Sequence, residues 1–232
     1  MSMNTLTING VTLADVYVDA SLSFNRPVKD VETFKVPGRN GALVIDNGVW
    51  DNVLITYPCY CDTMSAYDTI VQTLGALKGY QKIACSNDST HYRMGVPVVP
   101  QTPTVKFINN HVYFDLSFNC KPQRFLTSGD TTTTYTSSTN TATNPTKFDS
   151  RPLIRVNGTG SCTVNGTQIT VTGSYSYVDI DCAAMECYYG TNNANALVTF
   201  STNDFPVLSP GSNTISKGTV TSVAITPKYW EL

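Results

Sequence analysis

The chain has 232 residues, enough for one large β-domain or for two small domains that each bury a core of their own. Charged residues make up only 14% of it, and polar Thr, Ser, Asn and Tyr fill the shortfall. A formal net charge of -2 and the lack of any apolar run near the ~18 residues that span a bilayer argue against nucleic-acid recognition and membrane insertion.

The N-terminal segment carries neither a basic flank nor an apolar core, so we expect no secretory signal. Without export, the cysteines are expected to remain reduced thiols in a cytosol. Their odd number also argues against a complete disulfide framework. The seven are Cys59, Cys61, Cys85, Cys120, Cys162, Cys182 and Cys187.

One helix is predicted, over residues 65–77, because its apolar residues recur at i, i+3, i+4 and i+7. It lies between strand-like segments at 52–60 and 81–85. Asp62, Thr63 or Ser65 can cap its start, and Gly79 can cap its end. The apolar stripe consists of Tyr67, Ile70, Val71 and Leu74.

The clearest strand is predicted over residues 112–120, where apolar and polar residues alternate strictly. The apolar face predicted to be buried comprises Val112, Phe114, Leu116, Phe118 and Cys120.

Residues 127–150 are rich in Thr and Ser and contain few large apolar residues. This composition fits a flexible linker, or an exposed edge strand because Thr is β-branched. We place a domain boundary here, with a first domain at 1–127 and a second at 128–232. The second domain shows short strand-like segments separated by turn signals, including an Asn165-Gly166 hairpin, which predicts a β-sandwich.

The residues provide little basis for an enzyme, a metal site or a cofactor site. His91 and His111 have no metal-ligand spacing, and Cys59 and Cys61 are more simply explained as packing residues on one strand face. Asp179 and Asp181, with Glu186 nearby, could serve a glycosidase or hold Ca²⁺. The simpler interpretation is a solvated outer face of a strand.

Three stretches in this order resemble the distal tail protein family of long-tailed, non-contractile bacteriophages. The first runs from Phe34 through Pro37-Gly38-Arg39-Asn40-Gly41 to Trp50, with Asn40 where the family commonly has an acidic residue. Gly38 and Gly41 permit positive φ, and Arg39 can tie the turn to a carbonyl or carboxylate. The others are Phe118–Phe125 and the segment from Arg151 to the end, which includes the loop Phe205–Asn213.

The resemblance implies a mainly β fold in two domains: an N-terminal β-sandwich or split barrel with one helix, and a C-terminal galectin-like β-sandwich. It also implies a non-enzymatic virion protein, made in the host bacterial cytoplasm, that forms a homohexameric ring at the tail tip. One ring or two stacked rings would join the tail tube protein to tip or receptor-binding proteins. A projecting β-hairpin would embrace the neighbouring subunit, and we expect the turn Pro37–Gly41 to lie in that ring interface.

Two alternatives remain open from the sequence. One is a carbohydrate-binding module for host cell-surface glycans, with Trp50, Tyr188, Tyr189 or Trp230 as stacking platforms. The other is a cell-wall hydrolase using Asp179, Asp181 or Glu186, which lacks a recognisable nucleophile.

Overall fold

A computed structural model describes residues 4–19, 24–98, 106–108 and 111–232, with backbone only for 106–108. The chain separates into two compact units, Met1–Arg124 together with Leu232, and Phe125–Glu231. The boundary predicted at 127 and 128 falls in a short 3-10 helix, Thr127–Asp130, that follows this division. The predicted fold class is confirmed, because the residues that the structure describes are mainly β, contain one α-helix and form two domains.

The first unit contains one main sheet, with the strand order β2-β1-β7-β8-β10-β6-β3 and with β9 paired to β10. β10 continues into the second unit. Strands β4 and β5 form a two-stranded sheet of their own. The strands are β1 Leu6–Ile8, β2 Val11–Thr12, β3 Tyr17–Val18, β4 Lys29–Lys35, β5 Ala42–Trp50, β6 Val53–Cys61, β7 Gln81–Cys85, β8 His91–Val98, β9 Lys106–Ile108 and β10 His111–Leu126.

Helix α1, Met64–Ala76, lies one residue from the predicted bounds at each end. Thr63 caps its start by accepting a hydrogen bond from the Ala66 N–H at 3.1 Å. The C-cap is Leu77 in an extended conformation, so the prediction that Gly79 caps the helix is wrong. Gly79 instead occupies the following turn, with φ of 70°.

The apolar stripe of α1 packs into the core of the first unit. Tyr67 meets Phe114 edge to face with ring centroids 5.0 Å apart, and Ile70 and Leu74 are also buried. The strand predicted over 112–120 is confirmed within β10, where its five apolar residues are all buried. Alternate residues of β10 are buried and form one face of the sheet, and the apolar stripe of α1 packs on this face.

The second unit is a sandwich of two sheets, in the orders β11-β21-β13-β16-β17-β18 and β12-β20-β14-β15-β19. All its pairs with an assigned register are antiparallel, and the buried apolar residues of both sheets form one core. The strands are β11 Thr133–Tyr135, β12 Asn140–Asn144, β13 Leu153–Asn157, β14 Gly160–Val164, β15 Thr167–Val171, β16 Tyr177–Asp181, β17 Glu186–Tyr189, β18 Asn192–Asn193, β19 Val198–Phe200, β20 Gly211–Ser216, β21 Ser222–Thr226 and β22 Trp230–Glu231.

The Thr-rich segment 127–150 supplies strands β11 and β12, each at the edge of one sheet. The edge-strand interpretation is therefore confirmed for this segment. The predicted Asn-Gly hairpin is also confirmed, because Asn165 and Gly166 both have positive φ between β14 and β15.

The loop Phe205–Asn213 is held by the side chain of Asn213, which is fully buried. Its Oδ1 accepts a hydrogen bond from the Ser209 N–H at 2.8 Å. Its Nδ2 donates to the carbonyls of Ser209, Gly211 and Ala142 at 2.8, 3.0 and 3.3 Å. One amide group thereby satisfies the backbone of a proline-rich loop and ties it to strand β12.

All seven cysteines are free and buried, as expected for packing residues. Burial raises the pKa of the Cys162 thiol to about 12, and burial is also the main cause that raises the pKa of Cys120 to about 11. Because the thiolate is the reactive form, we expect the native protein to react slowly with a disulfide reagent such as DTNB at pH 8. In guanidinium chloride all seven thiols should react rapidly with DTNB. A fast reaction of all seven thiols in the native protein would contradict the buried arrangement.

Candidate functional site

The hairpin of β4 and β5 is the most unusual surface in the first unit. Phe34 pairs with Leu43 and Glu32 with Ile45, so these residues share one face of the hairpin. Thr33 pairs with Val44 on the opposite face. The predicted interface turn Pro37–Gly41 lies between the two strands, at the hairpin tip.

Apolar side chains are exposed on both faces of this hairpin. Leu43 and Ile45 are each 44% exposed. A single exposed apolar residue is ordinary, whereas a group of them on one element is informative. A two-stranded hairpin without a covering layer is marginally stable in water, and clustered exposed apolar residues mark interaction surfaces. The exposed apolar set of the hairpin is Val31, Phe34, Val36, Leu43, Val44, Ile45 and Val49.

Polar contacts fix the base of the hairpin. Lys29 forms an ion pair with Asp46, and the Gly48 N–H donates to Asp46 Oδ1 at 2.9 Å. The hydrogen bond from Lys29 is the main cause that lowers the pKa of the Asp46 carboxyl. The Asp51 N–H donates to the Val28 carbonyl at 2.9 Å and closes the two strands at their outer ends. The hairpin is thus shaped by its own contacts and presents its apolar residues outward.

The tip turn is built from its two glycines. Gly38 and Gly41 have φ of 80° and 82°, which confirms that both turn positions need glycine. The Arg39 N–H donates to the Val36 carbonyl at 3.2 Å, so the turn is tied by the backbone. The Arg39 side chain forms no hydrogen bond or ion pair with any residue that the structure describes, so its expected role in tying the turn is not observed.

Two of the acidic residues considered for catalysis, Asp179 and Asp181, have structural roles, whereas Glu186 is exposed at the start of β17. The expectation that Asp179 is solvated is wrong, because it is buried and accepts two hydrogen bonds from Arg155, from Nε at 2.7 Å and Nη2 at 2.8 Å. Arg155 also stacks on Tyr177, 4.2 Å from the ring centroid. Asp181 accepts the N–H groups of Ala183 and Ala184, both at 2.9 Å, and so shapes the β16–β17 turn.

The four aromatic residues considered for glycan stacking are divided between the two units. Trp50 belongs to the hairpin in the first unit, while the others belong to the second unit. Trp230 is stacked on Phe148 at 4.4 Å, and Tyr189 is stacked on Tyr175 at 4.5 Å. Each of these stacks covers one face of the ring concerned.

The two histidines begin strands, as expected. His111 Nδ1 lies 2.9 Å from Asp62 Oδ1, and His91 Nδ1 lies 3.1 Å from Asp88 Oδ1. Among the described residues, no three His, Cys, Asp or Glu side chains come together as a metal site would require. None of the helices described is long and apolar enough to span a membrane.

No protein-family model and no curated protein matches the sequence. The fold is nevertheless shared with solved phage proteins. The SPP1 Dit protein, described as a paradigm of the hub adsorption apparatus in phages that infect Gram-positive bacteria, superposes with a TM-score of 0.68 and 13% identity over 100% of both chains. Chains of the phage P2 baseplate in its activated conformation, with Ca and with Sr, give TM-scores of 0.50 at 8% identity, over 97% of this chain and 98% of theirs. The chain therefore has the two-domain fold of a phage distal tail hub protein.

Proposed function

We propose that this chain is a non-catalytic structural subunit of a phage virion. It forms a homohexameric ring at the distal end of the tail and links the tail tube to tip or receptor-binding proteins. The single observation that carries this proposal is the β4–β5 hairpin, which exposes apolar side chains on both of its faces. The chain that bears this hairpin shares its fold with a hub protein. In this proposal residues 1–127 form the ring and residues 128–232 form the galectin-like sandwich on its outside.

The hairpin supports a ring because its contact with a neighbour joins two different surfaces. Such a heterologous contact, repeated between successive subunits, forms a ring when the rotation closes on itself and an open filament when it does not. The tip turn Pro37–Gly41 would lie in the neighbour's surface, and the apolar residues behind it would be buried there. Subunits made in the host cytoplasm would then enter the virion at the tail tip.

Light scattering coupled to size exclusion, with negative-stain images of the same peak, tests the proposal. We expect a mass about six or about twelve times the 25.2 kDa of one chain, with ring-shaped particles. Twelve subunits would indicate two stacked rings. A monomer that stays monomeric at high concentration, and that forms no ring when mixed with tail tubes, would contradict the proposal.

A further inference from the structure

A pocket of about 250 Å³ opens in the first unit, and none of its lining residues belongs to the hairpin strands. Arg93 of β8 and Arg124 of β10 line it together with Arg26. Asp88, in the turn before β8, is the carboxylate in its lining. Three arginines and one aspartate therefore line the pocket, although the chain as a whole has a formal charge of -2.

Arg93 is the unusual member of this set, because it is only 7% exposed. Its Nη1 is buried and has no hydrogen-bond partner among the residues that the structure describes. Burial is the main cause that lowers the pKa of the guanidinium, and the nearby charges of Arg124 and Arg26 act in the same direction. A buried cation with an unsatisfied donor is costly and rare in folded proteins unless a partner completes it.

The carboxylate of the pocket is already bound by other groups. Asp88 accepts hydrogen bonds from Arg124 Nη2 at 2.8 Å and from Thr90 Oγ1 at 2.7 Å, and it lies 3.1 Å from His91 Nδ1. Burial acts against ionisation of Asp88, but these hydrogen bonds and the charge of Arg124 outweigh it and hold its pKa well below the usual range. Asp88 is therefore an ionised partner of Arg124. Arg26 Nη1 donates to the Leu232 oxygen at 2.6 Å, so the Arg93 guanidinium is the cation left for a group from outside.

The remaining walls of the pocket are largely aromatic and apolar. Phe24 and Tyr57 meet edge to face with ring centroids 5.4 Å apart, and Ile83 and Tyr92 complete this side. The volume lies just below the ~300–1,000 Å³ of clefts that hold drug-sized ligands. The pocket therefore fits a small group with a charged head and little bulk behind it.

We propose that this pocket binds a small oxyanion, a carboxylate or a phosphate group, with the Arg93 guanidinium as its central donor and with Arg26 and Arg124 adding positive charge. Both oxyanions match the planar fork of an arginine and form charge-assisted hydrogen bonds with it. The lining residues of this site lie outside the hairpin strands, so its test does not depend on the hairpin contact.

The test compares two probes, sodium phosphate and sodium glutarate, against sodium chloride at equal ionic strength and pH 7. Titration calorimetry gives the Kd, and the midpoint of thermal unfolding gives a second readout, because a ligand of the native state raises it. We expect at least one probe to bind. Preference for phosphate identifies a phosphate group as the ligand, and preference for glutarate identifies a carboxylate such as an acidic side chain of a partner protein.

The variant Arg93→Met keeps an unbranched chain of similar length and removes the guanidinium. We expect it to weaken binding roughly tenfold to a hundredfold, as the loss of a charge-assisted hydrogen bond requires. Lys147→Met makes the same change of charge at an exposed position of the second unit and should leave the Kd unchanged. If Arg93→Met does not fold, Arg124→Met replaces it, with the same expected loss. Failure of both probes to bind the wild-type protein, or equal binding by wild type and the pocket variant, would overturn the proposal.

Discussion

The double variant Leu43→Glu, Ile45→Glu is expected to dissociate the ring into subunits of 25.2 kDa while each subunit stays folded. Both side chains are 44% exposed on one hairpin face in the single chain, so the substitutions cost little in the subunit itself. In the proposed ring they would bury carboxylates in an apolar contact. Apolar anchors of this kind contribute about 2 kcal/mol or more each to the free energy of binding. The loss of two of them therefore weakens each contact between subunits roughly a thousandfold.

Light scattering checks this result, with the free energy of unfolding measured in urea for each protein. Val11→Glu is the matched control, since Val11 is 70% exposed on β2, outside the hairpin. It should leave the mass unchanged. Intact rings in the double variant would show that the hairpin face does not form the contact, whatever the ring itself uses.

The substitution Asn213→Ala is expected to lower the free energy of unfolding by roughly 2–4 kcal/mol. It removes a fully buried amide that makes four hydrogen bonds, with the N–H of Ser209 and the carbonyls of Ser209, Gly211 and Ala142. Those backbone groups then lose their hydrogen-bond partners inside the sandwich. A buried polar group without a partner destabilises the fold by more than a typical hydrogen bond stabilises it. Denaturation in urea, followed by near-ultraviolet circular dichroism, measures the change.

Asn192→Ala provides the control for Asn213→Ala, because Asn192 is exposed at the start of β18. Its effect should stay within about 0.5 kcal/mol. A loss below about 1 kcal/mol for Asn213→Ala would mean that the loop is held mainly by its own chain geometry and by packing of residues such as Leu208.

Local periodicity was enough to predict the elements whose signal lies within one segment. The spacing of Tyr67, Ile70 and Leu74 gave helix α1, and alternation from Val112 to Cys120 gave the buried face of β10. Strand β17 was missed, because its sequence, Glu-Cys-Tyr-Tyr, is short and carries no clear alternation. Its pairing with β16 across the Asp181 turn fixes it instead.

Features that depend on distant partners could not be predicted. Asp179 was expected to face water, but Arg155, 24 residues earlier, approaches it through the pairing of β13 with β16 and supplies the charge that burial requires. Arg93 likewise lies in β8, where polar and apolar residues alternate along the sequence. This pattern places Arg93 among the polar residues, so it gives no indication that the side chain is buried. The hairpin turn was located through Gly38, Arg39 and Gly41, yet the sequence did not reveal that both faces behind the turn are exposed.

The hairpin has a consequence for how subunits would assemble. In the proposed ring each subunit would offer one hairpin and receive one, so the subunit that completes a ring would make two contacts at once. The second of these contacts is intramolecular and benefits from a high effective concentration, as linked binding sites do. Open chains of subunits would therefore be sparse, and the population would pass cooperatively between single subunits and closed rings. Apolar hairpins would then be exposed only briefly, which limits the aggregation that such surfaces otherwise cause.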